Sequence, residues 1–305
     1  MSTSDKLLSV LGLFTAEAPE WTVEAAAKHL NLAVSTTYRY FRSLGEVGLI
    51  VAFAAGRYVL GPAIIQLDRQ TRMLDPLIKT ARPVMERLIH KIEAPGVLLL
   101  CRLYRNQVMC VHQEYRGAPE CAVSYERGRL MPLHRGAASK VTLAHMSARA
   151  VRAFHRDHAR EMEAVSLGRT WDEVKQHLRR IRTAGVSVTH AELDPDVTGI
   201  AVPLFDPDRS VMGSLGFVMP DASGVSQAIT DLSGLLRSAG GEISAELDAL
   251  ATERAAAGEE TIAVHGRTTS PGFDHSAARR RPGRPDTGES LDASTEPRRR
   301  AAGRR

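Results

Sequence analysis

Apolar and polar positions alternate on two different periods along this chain, and the change of period divides it. Over residues 5–60 the apolar residues recur at helical spacing. Leu7, Leu8, Leu11 and Phe14 form one stripe, after Ser4 or Asp5 as an N-cap, and Ala18-Pro19-Glu20 ends it. Thr22 is placed to cap a second helix, whose apolar face Val23, Ala26, Ala27 and Leu30 follows the i, i+3, i+4, i+7 rule. A short turn, Asn31 to Val34, follows. Ser35 is then the expected cap of a third helix, with Thr37, Tyr40, Phe41 and Leu44 turned inward. Leu49 to Phe53 and Arg57 to Leu60 are β-prone and flank Ala54-Ala55-Gly56, the pattern of a hairpin.

Helical spacing continues through Ala63 to Met73 and Leu77 to Ile92, with Pro83 expected to kink the second stretch or mark its true start. Beyond Pro95-Gly96 the pattern alternates. Strands are expected at Val97–Leu103, Val108–Gln113, Ala122–Tyr125, Val186–His190, Gly199–Phe205 and Val211–Met219. Helices are expected at Ala137–Met146, Ala150–His158, Trp171–Ala184 and Ser226–Ala251. Strands with helices to the side make an α+β chain. Its expected parts are a winged helix-turn-helix over residues 1–61, a helical linker over 62–95, an α/β sheet domain over 96–254, and an Arg-rich tail over 255–305. The tail is poor in apolar residues and is expected to be disordered.

Composition narrows the classes. The chain has 305 residues, 43% hydrophobic and 25% charged, which suits two globular domains. No apolar run approaches the roughly 20 residues of a membrane span, and the polar start Met1–Lys6 lacks a signal segment, so a cytoplasmic protein without a membrane partner is expected. Three cysteines, Cys101, Cys110 and Cys121, form no Cys-x-x-Cys pair and read as buried small hydrophobes. The formal net charge is +5. Yet residues 1–70 carry six basic and six acidic groups, so any nucleic-acid contact rests on where the charges point, not on bulk attraction.

On the third helix, inward Thr37, Tyr40, Phe41 and Leu44 leave Ser35, Thr36, Tyr38, Arg39 and Arg42 outward. A recognition helix enters the major groove by its N-terminal residues, and Arg can pair bidentately with guanine or hold a phosphate. Arg57, near the hairpin tip, is placed to reach the neighbouring backbone. In the tail, ten arginines against seven acids and a Gly283-Arg284-Pro285 core resemble part of a minor-groove hook, but the full hook pattern is absent and a plain extension is expected.

These segments together resemble the IclR family of bacterial transcriptional regulators. The resemblance is carried by Ser35-Thr36-Thr37-Tyr38-Arg39, Gly48-Leu49 and Tyr58-Val59-Leu60-Gly61. It continues in the stretches Gly128–Ala144 and Ile181–Asp206, in the family's order over roughly residues 5–252. It implies a dimer or tetramer on double-stranded operator DNA, a linker that helps dimerisation, and a GAF-like C-terminal domain that binds a small organic effector. It also places the effector near Gly136 and Ala137, with Thr189, Gly199, Gly216 and Val218 lining the pocket. Family members that bind small keto acids offer Asp, Cys and Ser where this chain offers Thr189, Gly199, Gly216 and Val218. A roomier, more apolar pocket for an aromatic or partly apolar metabolite is therefore expected. Ser139 stands where the family usually has Gly, an expected change at the pocket rim.

Enzyme readings find little support. The chain has no Gly-x-Ser-x-Gly elbow, no phosphate loop and no Gly-x-Gly-x-x-Gly after a strand, and no cofactor or metal is expected. His155 and His158 could share a metal but read better as surface residues. Glu192, Asp194 and Asp196 read as a solvated acidic loop. A sensor module with a degenerate helix-turn-helix is the alternative to a DNA-binding regulator, and a metabolite-converting enzyme is a more distant one.

Overall fold

The computed structural model describes residues 2–117, 123–221 and 225–257. Helix α1 (Thr3–Ser9) is capped by Ser2, whose Oγ accepts from the Asp5 N–H at 3.1 Å while the Asp5 carboxylate accepts from the Ser2 N–H at 2.8 Å. The cap thus lies ahead of the expected Ser4 or Asp5, because this reciprocal box satisfies two free N–H groups at once. A short strand β1 (Trp21–Thr22) precedes α2 (Val23–Leu30), which Thr22 caps through the Ala25 N–H. Helix α3 (Val34–Glu46) starts two residues earlier than expected. Ala33 sits at its N-cap without a side-chain bond, so Ser35 lies in the first turn and is exposed. Thr37, Tyr40, Phe41 and Leu44 are buried, and pack with Val10, Ala26 and Ile50 into the core of this unit.

Strands β2 (Ile50–Ala54) and β3 (Arg57–Leu60) form the hairpin, and β1 adds to its edge through Trp21 opposite Tyr58. The sequence reading missed β1 because two residues carry no period. The Trp21 indole N–H donates to the Leu13 carbonyl at 2.8 Å and fixes the edge strand to the first helices.

The exit from this unit is a backbone crossing. The Gly61 N–H donates to the Leu49 carbonyl at 2.8 Å, and the Ala63 N–H to the Gly48 carbonyl at 3.1 Å. A Cβ on Gly61 would lie 2.1 Å from the Gly48 oxygen, so only glycine fits. Helix α4 (Pro62–Leu74) leaves from this crossing and has no buried residue. Asp75 then caps α5 (Pro76–Lys91) and also accepts from Arg102 at 2.8 Å. Helix α5 runs on through Pro83, against the expected kink. Pro83 is on the exposed face, while Leu77, Ile78, Ala81, Val84, Met85 and Leu88 hold the helix to the sheet domain.

That domain is one antiparallel sheet. Its strands are β4 (Gly96–Tyr104), β5 (Gln107–Arg116), β6 (Leu130–Pro132), β7 (Ser187–His190), β8 (Val197–Phe205) and β9 (Val211–Pro220), in the order β6-β5-β4-β9-β8-β7. The apolar strands are buried on both faces. Val97, Leu99 and Cys101 of β4 face one core with α6 (Ala137–His145), α7 (Ala148–Ala164) and α8 (Trp171–Ala184). Leu98 and Leu100 face the other, with α5 and α9 (Val225–Ala256). The expected strand at 122–125 is replaced by irregular chain where it is described, and β6 at Leu130–Pro132 takes the edge instead. Cys101 and Cys110 are buried, whereas Cys121 and most of the tail lie outside the described residues. Among the described residues no helix is long and apolar enough to cross a membrane.

Gly61→Ala drives a methyl group into the Gly48 carbonyl, and neither backbone can yield cheaply. The expected result is destabilisation of the N-terminal unit by about 2 kcal/mol or more, read by urea unfolding followed at Trp21. A change below about 0.5 kcal/mol would mean that the crossing is not a fixed joint.

Candidate functional site

On α3 the polar residues stand clear of the core. Ser35, Tyr38, Arg39 and Arg42 are exposed and Thr36 is half-buried. Tyr38 is 57% exposed although aromatic, an unusual exposure for a ring that has core beside it. Arg42 bonds Glu46 at 2.9 Å across one helical turn, and Arg57 sits 3.5 Å from Glu20. Both pairs are solvent-exposed and worth little, so a phosphate can compete for either guanidinium. Arg39 has no acidic partner among the described residues. The six residues chosen from sequence therefore share one unit, five on the outer face of α3 and Arg57 just past the hairpin turn.

The six positions expected around an effector also come together. Gly136, Ala137, Thr189, Gly199, Gly216 and Val218 line a single slot between the sheet and the start of α6. Its floor is the α6 side of the sheet. There Gly199 is paired with Thr189 and Val218, and Gly216 with Leu99 and Ala201. Small residues facing one another leave space that Leu or Phe would fill. The walls are mostly apolar, as expected, but the slot is narrow where a roomy one was expected. The space between its lining atoms, the open mouth included, is about 400 Å³.

What narrows it was missed in the sequence. Gly136 takes φ of +84°, and a Cβ there would lie 2.5 Å from Leu193 Cδ1 and 2.8 Å from the Tyr125 hydroxyl. Leu193 and Tyr125 thus press on the entry to α6. The Tyr125 hydroxyl is 3.0 Å from Ser139 Oγ, so Ser139 in place of the family's glycine supplies a partner that holds the ring in the wall. Burial pushes the Tyr125 phenol well above its usual range, so it stays protonated.

The acidic loop before β8 is not merely solvated. The Glu192 carboxylate accepts from the Gly136 N–H at 3.0 Å and from the Lys140 ammonium. The Lys140 side chain is 4% exposed and Glu192 is 22% exposed. Asp194 accepts from the Ser124 N–H at 2.8 Å and from the Ser124 hydroxyl, while Asp196 is exposed. Glu192 is a tether because the buried Lys140 ammonium would be costly left unpaired. The pairing spans more than fifty residues of sequence, and no local signal carries it.

His155 and His158 face different neighbours, and the His158 ring lies 6.1 Å from that of His134. His158 stacks near Phe154 at 4.3 Å between centroids, and His155 packs toward Trp171 at 5.7 Å. No group of three metal-ligating side chains occurs among the described residues. Burial holds His134, His145 and His177 below the ordinary histidine value of 6.5. His145 also lies edge-on to Phe205 and near Arg182, which disfavours a second charge. Each of these groups is kept neutral in the fold and takes up a proton more readily when unfolded. Their contribution to stability is thus present above about pH 6.5 and lost as pH falls below it. Thermal melts should show the midpoint dropping from pH 7.5 to 5.5, with a shallower drop in His145→Gln. Equal slopes for the two proteins would contradict the assignment for His145.

Comparison with known proteins gives this geometry its context. A family model described as "IclR helix-turn-helix domain" matches residues 3–52, and "Bacterial transcriptional regulator IclR C-terminal" matches residues 72–245. The HTH-type transcriptional regulator KipR of Bacillus subtilis is 24% identical over 214 residues, covering 69% of this chain and 82% of KipR. An IclR transcriptional regulator from Silicibacter sp. TM1040 superposes with a TM-score of 0.67 at 22% identity, over 81% of this chain and 96% of the other. An IclR homolog from Microbacterium hydrocarbonoxydans, solved with 4-hydroxybenzoate, gives 0.61 at 21% identity, over 81% and 100%. With both units matched in order, and the second match alone spanning more than half its length, the chain belongs to the IclR family of bacterial transcriptional regulators.

Proposed function

We propose that this regulator grips operator DNA with Ser35, Thr36, Tyr38, Arg39, Arg42 and Arg57, and that the slot at Gly136 and Ala137 holds its effector. The observation that supports it best is the convergence of the six expected lining positions on one apolar slot at a helix start. Thr189, Gly199, Gly216 and Val218 set a floor without acidic or thiol groups. That floor favours a partly apolar or aromatic metabolite over a two-carbon keto acid. The Microbacterium homolog's 4-hydroxybenzoate is a ligand of that class. The role is regulatory rather than catalytic.

A route from slot to DNA-binding unit follows from the contacts. Asp194 holds Ser124, beside Tyr125. Two residues on, Arg127 donates to the Val111 carbonyl and to Asp68 on α4. The boundaries read from sequence, 1–61, 62–95 and 96–254, make α4 part of the linker between reader and sensor. Helix α4 leaves Ile65, Leu67 and Leu74 at 74%, 51% and 70% exposure. A helix of 13 residues that buries nothing is marginal alone, and a second copy of the chain is its natural cover, giving the dimer or tetramer.

Operator binding is the test, with DNA from upstream of the chain's own gene and a scrambled control, read by fluorescence anisotropy. Arg39→Ala should cost about 1–3 kcal/mol on the operator while leaving the fold unchanged. Undiminished affinity in the variant would sink the recognition-helix assignment. A small shift confined to the scrambled DNA would do the same.

A further inference from the structure

We infer that loop 191–196 is a built-in stand-in for the effector, seated on the Gly136 N–H and the Lys140 ammonium until an anionic ligand displaces it. The inference rests on reading the slot as the effector site, and goes further by saying what occupies it beforehand. Two adjacent side chains supply the two halves of the stand-in. Glu192 places a carboxylate between the Gly136 N–H and the Lys140 ammonium, and Leu193 places a branched apolar group directly against Gly136. Both line the slot, and Leu193 closes it against Gly136 at the start of α6.

Charge decides which ligand can replace them. Lys140 is buried and otherwise reaches only the neutral Val165 carbonyl at 3.4 Å, so the departure of Glu192 is costly unless another anion takes its place. A carboxylate ligand provides that exchange and a neutral one does not. The departing Glu192 has somewhere to go. It also lines an open cleft on the far side of Lys140, walled by His177 and Arg180. Arg180 is exposed there and has no acidic partner among the described residues. The loop's ends suit a segment with two arrangements, because Ala191 and Asp196 hold φ of +49° and +56°, values that side chains other than glycine rarely adopt. Exchange also bears on Asp194, and through it on Ser124 beside the slot's Tyr125.

The probes are 4-hydroxybenzoate and its neutral isostere 4-hydroxybenzamide, titrated by calorimetry into the full chain and into Glu192→Gln. Removing the internal competitor should tighten the acid at least tenfold and change the amide less than twofold. Equal weakening or equal tightening of both probes overturns the inference while leaving the slot as the binding site. Binding of neither probe to either protein overturns the slot reading itself. Should Glu192→Gln not fold, Lys140→Met takes its place. It should erase the preference for acid over amide that the unaltered chain has, and a preserved preference overturns the inference.

Discussion

A buried ammonium is the constraint from which the sensor half of this protein follows. Lys140 lies on the second turn of α6, almost without solvent, and needs an anion from another part of the chain. Glu192 provides it from a loop more than fifty residues away, and in doing so draws that loop over the start of α6. The loop narrows the slot, and Asp194, a second of its three acids, holds Ser124 in the segment containing Tyr125. Replacing such a pair by apolar residues often leaves stability unchanged or improved, so stability alone is a weak reason to keep it. An ion pair that a ligand can re-form on its own terms is a better one.

Most of the fold could be read from the chain because most of it is periodic. The inward set of α3 is the set that helical spacing selects, and the long strands of the sheet lie within a few residues of their expected places. The failures have separate physical causes. Two- and three-residue strands such as β1 and β6 have no period to read. Pro83 was expected to interrupt α5, but its ring faces solvent and the apolar face on either side is held by the sheet. At α3 a serine near the helix start was taken for a cap, although Ala33 occupies that place.

The slot divides in the same way. Its floor was accessible from the family resemblance because small residues there are local features of the sequence. Its plug was not. Glu192 and Asp194 look like a solvated run until Lys140 and Ser124 are brought opposite them, and only the tertiary fold does so. Ser139 was visible as a departure, but its consequence, a partner for the Tyr125 hydroxyl, depends on a residue fourteen positions away. The outer face of α3 and the slot are connected through parts that are each unremarkable: an exposed Arg127–Asp68 pair, an α4 without buried residues, and the close crossing at Gly61 and Gly48. A regulator needs such a joint to have two arrangements of nearly equal energy, which weak contacts supply better than strong ones.

The most direct test of this account is a crystal structure of the full chain soaked or grown with 4-hydroxybenzoate. The account predicts the ligand's carboxylate on the Gly136 N–H and Lys140, with Glu192 turned toward Arg180 and Leu193 withdrawn. Ligand density in the slot with Glu192 still bonded to Gly136 and Lys140 would contradict it.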